Sequence, residues 1–434
     1  MSAALRSFEA QWRARSADAL QPIREQAMQR FLKLGLPTLR DETWRYTDLR
    51  SVAAQSFEAA RCEARGAIDP NASLSLVTPE LGAATVVMIN GCPSLKADTS
   101  VINGIEISGI KDLSRLDPKS MARFFPPATD ADQRRWVLLN TALFIDGLYL
   151  KITRQVAQPL VILHVSTGGR ADEAAHPRII IDAAPGSSAT IIEHHIAHGD
   201  IAPLSNSNTH ISLGKDARLE HYRVYATGAG ASHIDSLDIH QAHGSHCKQF
   251  TIALGGGLVR SSLEAHLNAP GASLDSHSLL VGHADRHVDC VNIVTHAAPD
   301  TRSRQTARAI ASDVSRVIFN SKVIVNAGAV HSDSQQSSRG LLLSPSAEID
   351  TRPQLEIHAD EVKCAHGATT GRLDPDMLFY LLSRGLDRET AQSLLVFAFL
   401  ADVLTGMSVN SARSAIENAL ISQLPDSQIL RKFR

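Results

Sequence analysis

From about residue 158 to 368 the apolar positions come in short runs. Leu160-Val161-Ile162-Leu163, Arg178-Ile179-Ile180-Ile181 and Val323-Ile324-Val325 alternate with Gly, Asn, Asp and Ser, the texture of short strands divided by turns. A phrase recurs here, in which a small residue is followed by any residue, an apolar residue and an acid. It reads Ala217-Arg218-Leu219-Glu220, Ala272-Ser273-Leu274-Asp275 and Ala347-Glu348-Ile349-Asp350, with Ser188-Ala189-Thr190-Ile191 a related form. Apolar positions 191, 219, 274 and 349 stand 28, 55 and 75 residues apart, near multiples of 25 to 28. A fixed period of this size suits a solenoid whose turns stack on one another. A sandwich would also give short strands, but it would not require the period.

The flanks follow a different rhythm. Residues 4–35 read as a helix, with Leu20, Ile23, Ala27, Phe31 and Leu34 at helical spacing and Gly35 and Pro37 ending it. Residues 36–150 mix short apolar runs, such as Thr85 to Ile89, with turns, and predict a small α+β region. Asp130 to Leu143 reads as one helix, with Asp132 near its positive end. After residue 370, Asp374-Pro375-Asp376 caps a helix starting at Met377, with Leu378, Leu381 and Leu382 as its stripe and Gly385 as its stop. A second helix, Asp387 to Thr405, carries Leu394, Leu395, Phe397, Phe399 and Leu400, and a third carries Val409, Ala412, Ile416, Leu420 and Leu424. The middle helix is apolar on nearly every side, so it needs covering on two sides, by its own β region or by a partner. The expected fold is mainly β: an N-terminal α+β region (1–157), a β-solenoid (158–369) and a C-terminal helical region (370–434).

Composition narrows the function classes. The 434 residues are 44% hydrophobic and 20% charged, and the formal net charge is −2, so no global field draws the chain to nucleic acid or anionic lipid. Five scattered cysteines (Cys62, Cys92, Cys247, Cys290, Cys364) form no C-x-x-C pair and no disulfide framework, which suits a reducing compartment. There is no apolar leader and no run of about 18 apolar residues. A cytoplasmic protein is expected. All nineteen histidines lie between His164 and His366, which supports the same three regions.

Candidate chemistry is concentrated at Cys364-Ala365-His366. Two residues apart on an extended backbone, the thiol and the imidazole share a face, and both can bind a metal such as iron. Two ligands make at most half of a site, and Cys364 reads equally well as a packed structural thiol. His240-x-x-His243-x-x-His246-Cys247 is broken by Gly244 and reads as a solvated turn. His194 and His195 are neighbours on a strand and point to opposite faces, so they cannot chelate together. Gly255-Gly256-Gly257 lacks the Lys-Ser/Thr of a phosphate loop, and neither G-x-S-x-G nor H-E-x-x-H occurs. A polysaccharide lyase or hydrolase on a β-helix is the competing function class. It would need acids and bases on one strip, whereas Asp235 and Asp238 face opposite ways and no carboxylate cluster accompanies Arg302, Arg304 and Arg308.

The run Asp350-Thr351-Arg352-Pro353-Gln354-Leu355-Glu356-Ile357-His358-Ala359-Asp360-Glu361-Val362-Lys363-Cys364-Ala365-His366-Gly367-Ala368-Thr369 resembles a signature of the SufB/SufD family, the scaffolds of the SUF iron–sulfur cluster assembly system. The likeness continues in Leu378-Phe379-Tyr380-Leu381 and Ser383-Arg384-Gly385-Leu386, and earlier in Glu42-Thr43-Trp44-Arg45-Tyr46-Thr47-Asp48-Leu49 and Leu139-Asn140-Thr141-Ala142-Leu143. It therefore spans the chain in family order. SufB-like members carry Glu-His-Glu-Ala-Thr where this chain has Cys364 to Thr369, and a functional cysteine where it has Gln335 to Leu343. Both differences point to the SufD branch. The resemblance implies a right-handed parallel β-helix and a non-catalytic scaffold that pairs with SufB and docks the ATPase SufC. It further implies iron or a nascent cluster at the SufB–SufD interface, with no cofactor intrinsic to the isolated chain. His366 matches the family histidine at that interface, Cys364 is a second candidate ligand, and Leu394, Leu395, Phe397, Phe399 and Leu400 are candidates for SufC docking. The residues speak neither for nor against a reduced flavin in the complex.

Overall fold

Between Leu148 and Gly371 the chain coils so that successive long strands fall alternately into two sheets, each pairing in parallel with the strand one turn earlier. This is the parallel β-helix that the repeat predicts. A computed structural model describes residues 2–62, 84–95, 101–113, 123–125, 134–167, 170, 172–198 and 203–423. One sheet runs from Leu160–Thr167 through Ser188–His198, Arg218–Tyr225, His246–Ala253, Ser273–Gly282, Arg302–Ala311 and Asp333–Leu342 to Lys363–Gly371. The other runs from Leu148–Ile152 through Arg178–Ala183, Leu204–Leu213, Ser232–Gln241, Leu258–Leu267, His287–His296 and Arg316–Val325 to Glu348–Ile357. Ala84–Ile89 pairs in parallel with Leu160–Thr167, so both sheets continue into the N-terminal region.

Register explains the repeat and corrects it. Ala189, Leu219, Cys247, Leu274, Ser303, Ser334 and Cys364 stack as one column, in steps of 27 to 31 residues. Leu219 and Leu274 belong to it, but Ile191 pairs with His221, two places along, and Ile349 pairs with Val317 in the opposite sheet. Variable turn lengths produced the false phase. What recurs physically is a corner: Asp216, Gly244, Gly271, Asp300, His331 and Glu361 all have positive φ, and a small or apolar residue follows each before the strand begins. Backbone N–H groups link these corners from turn to turn, as from Asp216 to His243 and from Gly244 to Pro270. The inward faces meet in an apolar core that includes Ile191, Leu219, Leu237, Leu263, Leu274 and Val294. Each such side chain contributes about 1.5–3 kcal/mol relative to exposure.

Both outer faces are covered. The helices Arg388–Leu404 and Asn410–Ser422 lay Val396, Leu400, Val403, Ala412 and Ile416 on Ile192, Tyr222, Phe250 and Ile252 of the first sheet. On the second sheet, Trp44 is buried in the N-terminal cluster with Trp136, and the Arg260 guanidinium lies 4.3 Å over its ring. Arg260 pairs with Asp289, both fully buried, and donates to the Thr43 carbonyl at 2.7 Å, while Thr47 hydrogen-bonds Asp289. Asn140 donates to the carbonyls of Pro177 and Asn206. The two N-terminal family motifs are therefore docking elements.

The first 35 residues form two helices rather than one, Ala3–Arg13 and Gln21–Leu34. Asp18 accepts from the Leu20 N–H and from Arg15 and Arg24, and Pro22 sits in the first turn of the second helix, so the chain restarts there. The later N-terminal helix is described over Arg135–Leu143; Asp130 and Asp132 lie outside the described residues. At the C-terminus, Asp374 caps Pro375–Ser383, as the sequence predicts, Asp387 caps Arg388–Leu404, and Leu424 lies outside the described residues. Cys62 and Cys92 are joined in a disulfide, with Cα atoms 5.4 Å apart, and Cys247, Cys290 and Cys364 are free. This pair departs from the expectation of five cysteines outside any disulfide framework, because a separation of 30 residues carries no local sign of the pairing. Among the described residues, no helix is long and apolar enough to cross a membrane.

Candidate functional site

The strand Lys363–Gly371 closes the first sheet, and Glu348–Ile357 closes the second; among the described residues, each is paired on one edge only. This leaves two terminal edges with unpaired backbone groups, a ready surface for another chain. Cys364 and His366 sit on that last strand and share a face, in register with Ser334 and Gln336. The side chain at 364 continues the inward column and packs at the end of the core beside Leu355, Ala359 and Val362. Burial pushes its thiol up from the ordinary range, which favours the neutral form over the thiolate that binds metals. His366 is exposed. The two candidates thus share a face but not an environment.

Beneath His366 lies a polar ladder. His221, Gln249, Ser276, Gln305, Gln336 and His366 pair in succession along the first sheet. Gln305 and Gln336 are buried, and neither their amide nitrogens nor their oxygens have a hydrogen-bond partner. A cleft of about 310 Å³, lined by Gln305, Gln335, Gln336, Ser337, Ala365 and His366, opens at this end. Buried amides without partners are uncommon and mark a place where water, an ion or a partner group completes the bonding. The end of the solenoid therefore offers an exposed imidazole backed by polar atoms.

The C-terminal helices divide differently from the expectation. Leu400 is fully buried against the solenoid, whereas Leu394, Leu395, Phe397 and Phe399 are half-buried. Phe399 lies 5.9 Å from the guanidinium of Arg308, which also pairs with Asp402 at 2.5 Å. That contact removes Arg308 from the anticipated basic patch. The open apolar surface belongs to the preceding helix: Met377, Phe379 and Tyr380 are 58%, 71% and 55% exposed, and no residue of Pro375–Ser383 is buried. These residues lie between the leucines taken as the stripe, so the signal was a helix with apolar residues on both faces.

The histidine groups resolve as follows. His243 is exposed in its turn, but Cys247 is fully buried in the core. His194 and His195 point to opposite faces, as expected. Asp235 faces inward and Asp238 outward, the latter bonded to Asn208 and Arg134. A buried group built across turns, in which His195 meets His164, Glu193, His233 and Asp235, has no signature in local spacing.

Two family models match the chain. The SufBD core domain of the SUF system for FeS cluster assembly matches residues 164–399, and the SufBD protein N-terminal region matches residues 5–162. The iron-sulfur cluster assembly protein SufD of Escherichia coli is 29% identical over 422 residues, covering 96% of this chain and 95% of that protein. A SufBD family protein of Synechocystis is 27% identical over 402 residues, covering 89% and 87%. SufD of Bacillus subtilis is 24% identical over 303 residues, covering 68% of each chain. With the core model alone spanning more than half of its length, this β-helix chain belongs to the SufBD family of iron–sulfur cluster assembly proteins.

Proposed function

We propose that the chain is a SufD-type, non-catalytic scaffold subunit that pairs with a SufB-like β-helix through its terminal strands and presents His366 at that junction. The observation that carries the reading is the position of His366. It is an exposed imidazole on the last, half-paired strand, over a cleft whose buried amides lack partners. Neutral imidazole binds iron, here the cargo of assembly, and protonation releases it. Cys364 is the weaker candidate, because its burial favours the thiol. A cytoplasmic setting fits this work. The glycan-enzyme alternative gains nothing, since Asp235 and Asp238 face opposite ways and Arg308 is held by Asp402.

A SufC-like ATPase would dock on the C-terminal helices, at the exposed Met377, Phe379 and Tyr380 and at the half-buried Leu394, Leu395, Phe397 and Phe399. Leu400 supports that surface from within. The testing experiment is anaerobic co-purification with SufB- and SufC-like partners, with iron and acid-labile sulfide measured per complex. His366→Ala should preserve the complex and lower both, and Cys364→Ser should have a smaller effect. Failure of the wild-type chain to bind either partner would overturn the scaffold reading.

A further inference from the structure

At the end of the solenoid away from His366, the inward faces carry titratable groups beside the aliphatic ones. His164, Glu193, His195, His221, Tyr225, His233 and Asp235 are each at most 5% exposed. Glu193 is well provided for: it accepts from Thr209 Oγ1 at 2.9 Å and lies 3.0 and 2.8 Å from the Nε2 atoms of His164 and His221. Asp235 is not. Neither of its carboxylate oxygens has a hydrogen-bond partner, and His195 Nε2 and His233 Nδ1 also lack one. Buried polar groups are nearly always satisfied, and a buried carboxylate most of all requires a compensating group.

These three residues also come together. One ring nitrogen each of His195 and His233 and a carboxylate oxygen of Asp235 lie within 4.8 Å of one another. The rings are held in place. His195 stacks between His164 and Tyr225, with centroids 4.2 and 4.9 Å away, and meets His233 edge-on at 5.6 Å. His233 is oriented by Thr227 Oγ1, 3.1 Å from its Nε2. The nearby Arg223 guanidinium directs its NH2 group to Ser261 at 3.0 Å. Two imidazoles and one carboxylate are the donor set of Zn²⁺ and Fe²⁺ sites, and not of Mg²⁺ or Ca²⁺ sites, which are all oxygen. Ligands on one such ion stand at most about 4.2 Å apart, twice the bond length, so small side-chain shifts would close the set.

We propose that His195, His233 and Asp235 form a buried structural site for one divalent first-row metal ion, Zn²⁺ or Fe²⁺, inside the early turns of the β-helix. The ligands come from strands in opposite sheets, so the ion would tie the two sheets together where the solenoid begins. Burial holds His233 down at about 4 and His195 well below its ordinary value, keeping both imidazoles in the neutral form that binds metal. Burial raises Asp235 to about 6, so a proton is the alternative occupant. The Tyr225 hydroxyl and the Arg223 guanidinium stand near Asp235 and partly offset the effect of its burial, and the hydroxyl would donate to the oxygen that the ion leaves free.

The site does not depend on the proposed function, and its test removes the terminal histidine. Full-length chain carrying His366→Ala is produced with added Zn²⁺, or with Co²⁺ as a spectroscopic probe, and passed over a chelating resin. About one equivalent of metal should remain per chain, with visible Co²⁺ absorption of nitrogen and oxygen ligation. Loss of an outer-shell partner alone costs about 10–100-fold in metal affinity, so Asp235→Asn should cost at least about 100-fold. His233→Gln is the second variant, and circular dichroism confirms folding in both. Less than about a tenth of an equivalent in the parent protein would overturn the proposal, whether or not the variants fold. Unchanged metal in folded Asp235→Asn would overturn it as well.

Discussion

His221 and His366 occupy the same ladder position on the first sheet, the one inside the early turns and the other on the closing strand, with Gln249, Ser276, Gln305 and Gln336 between them. One is fully buried and bonded to Glu193, while the other is exposed on the closing strand. The same residue type in the same column thus has two roles, set by what stacks above and below it. Within the solenoid, an imidazole is part of the core's hydrogen bonding. At the open end its partner must come from outside the chain. Burial of a polar ladder is costly unless it is satisfied, and Gln305 and Gln336 show that the ladder is incomplete as it nears the open end.

The largest expected difference between the two places is in stability. Glu193→Ala removes the group shared by His164, His221 and Thr209, and breaking a buried charged network of this kind costs about 3–5 kcal/mol. His366→Ala should stay within about 0.5 kcal/mol, as surface changes do. Urea unfolding of both variants checks the contrast, and equal losses would break it.

The outer faces allow a second test. Leu400→Ala opens a cavity under the C-terminal helices and should cost about 2–5 kcal/mol in the same assay. Phe379→Ser, on the exposed helix, should leave unfolding nearly unchanged but weaken SufC binding by roughly tenfold, about 1.4 kcal/mol. If Phe379→Ser unfolds the protein instead, that helix is structural and not a docking surface.

Acid should act on the buried histidines as well. Burial holds His233 and His296 at about 4, against 6.5 when unfolded, so the unfolded chain binds more protons between those values. The stability they confer is present above pH 6.5 and is lost as pH falls toward 4. The bonded Glu193 is held well below its ordinary value, so its contribution is lost only at still lower pH. Asp235, raised to about 6, acts oppositely, destabilising as pH rises from 3.8 through 6. With the histidines more numerous, unfolding free energy should fall between pH 7 and 4, and His366→Ala should leave that slope unchanged.

Much of the architecture was legible because strands, turns and helices are written in local spacing. The apolar runs, the cap Asp374, the helix starting at Asp387, and the alternation that separates Asp235 from Asp238 all appear as the sequence predicts. Contacts between turns were not legible. Steps of 27 to 31 residues prevent columns from being read by eye, which is why Ile191 and Ile349 were put in the wrong phase. For the same reason the sequence sets His195 beside His194, its neighbour along the chain, and not beside His233 and Asp235, its neighbours in space. A helix with apolar residues all round likewise conceals which side is buried, so Leu400 looked no different from Phe397.

Iron and acid-labile sulfide per anaerobically purified complex with SufB- and SufC-like partners, compared between wild type and His366→Ala, test the central claim most directly. An intact complex with both quantities lowered is the predicted result. An intact complex with unchanged iron and sulfide would contradict the assignment of His366 to cluster assembly.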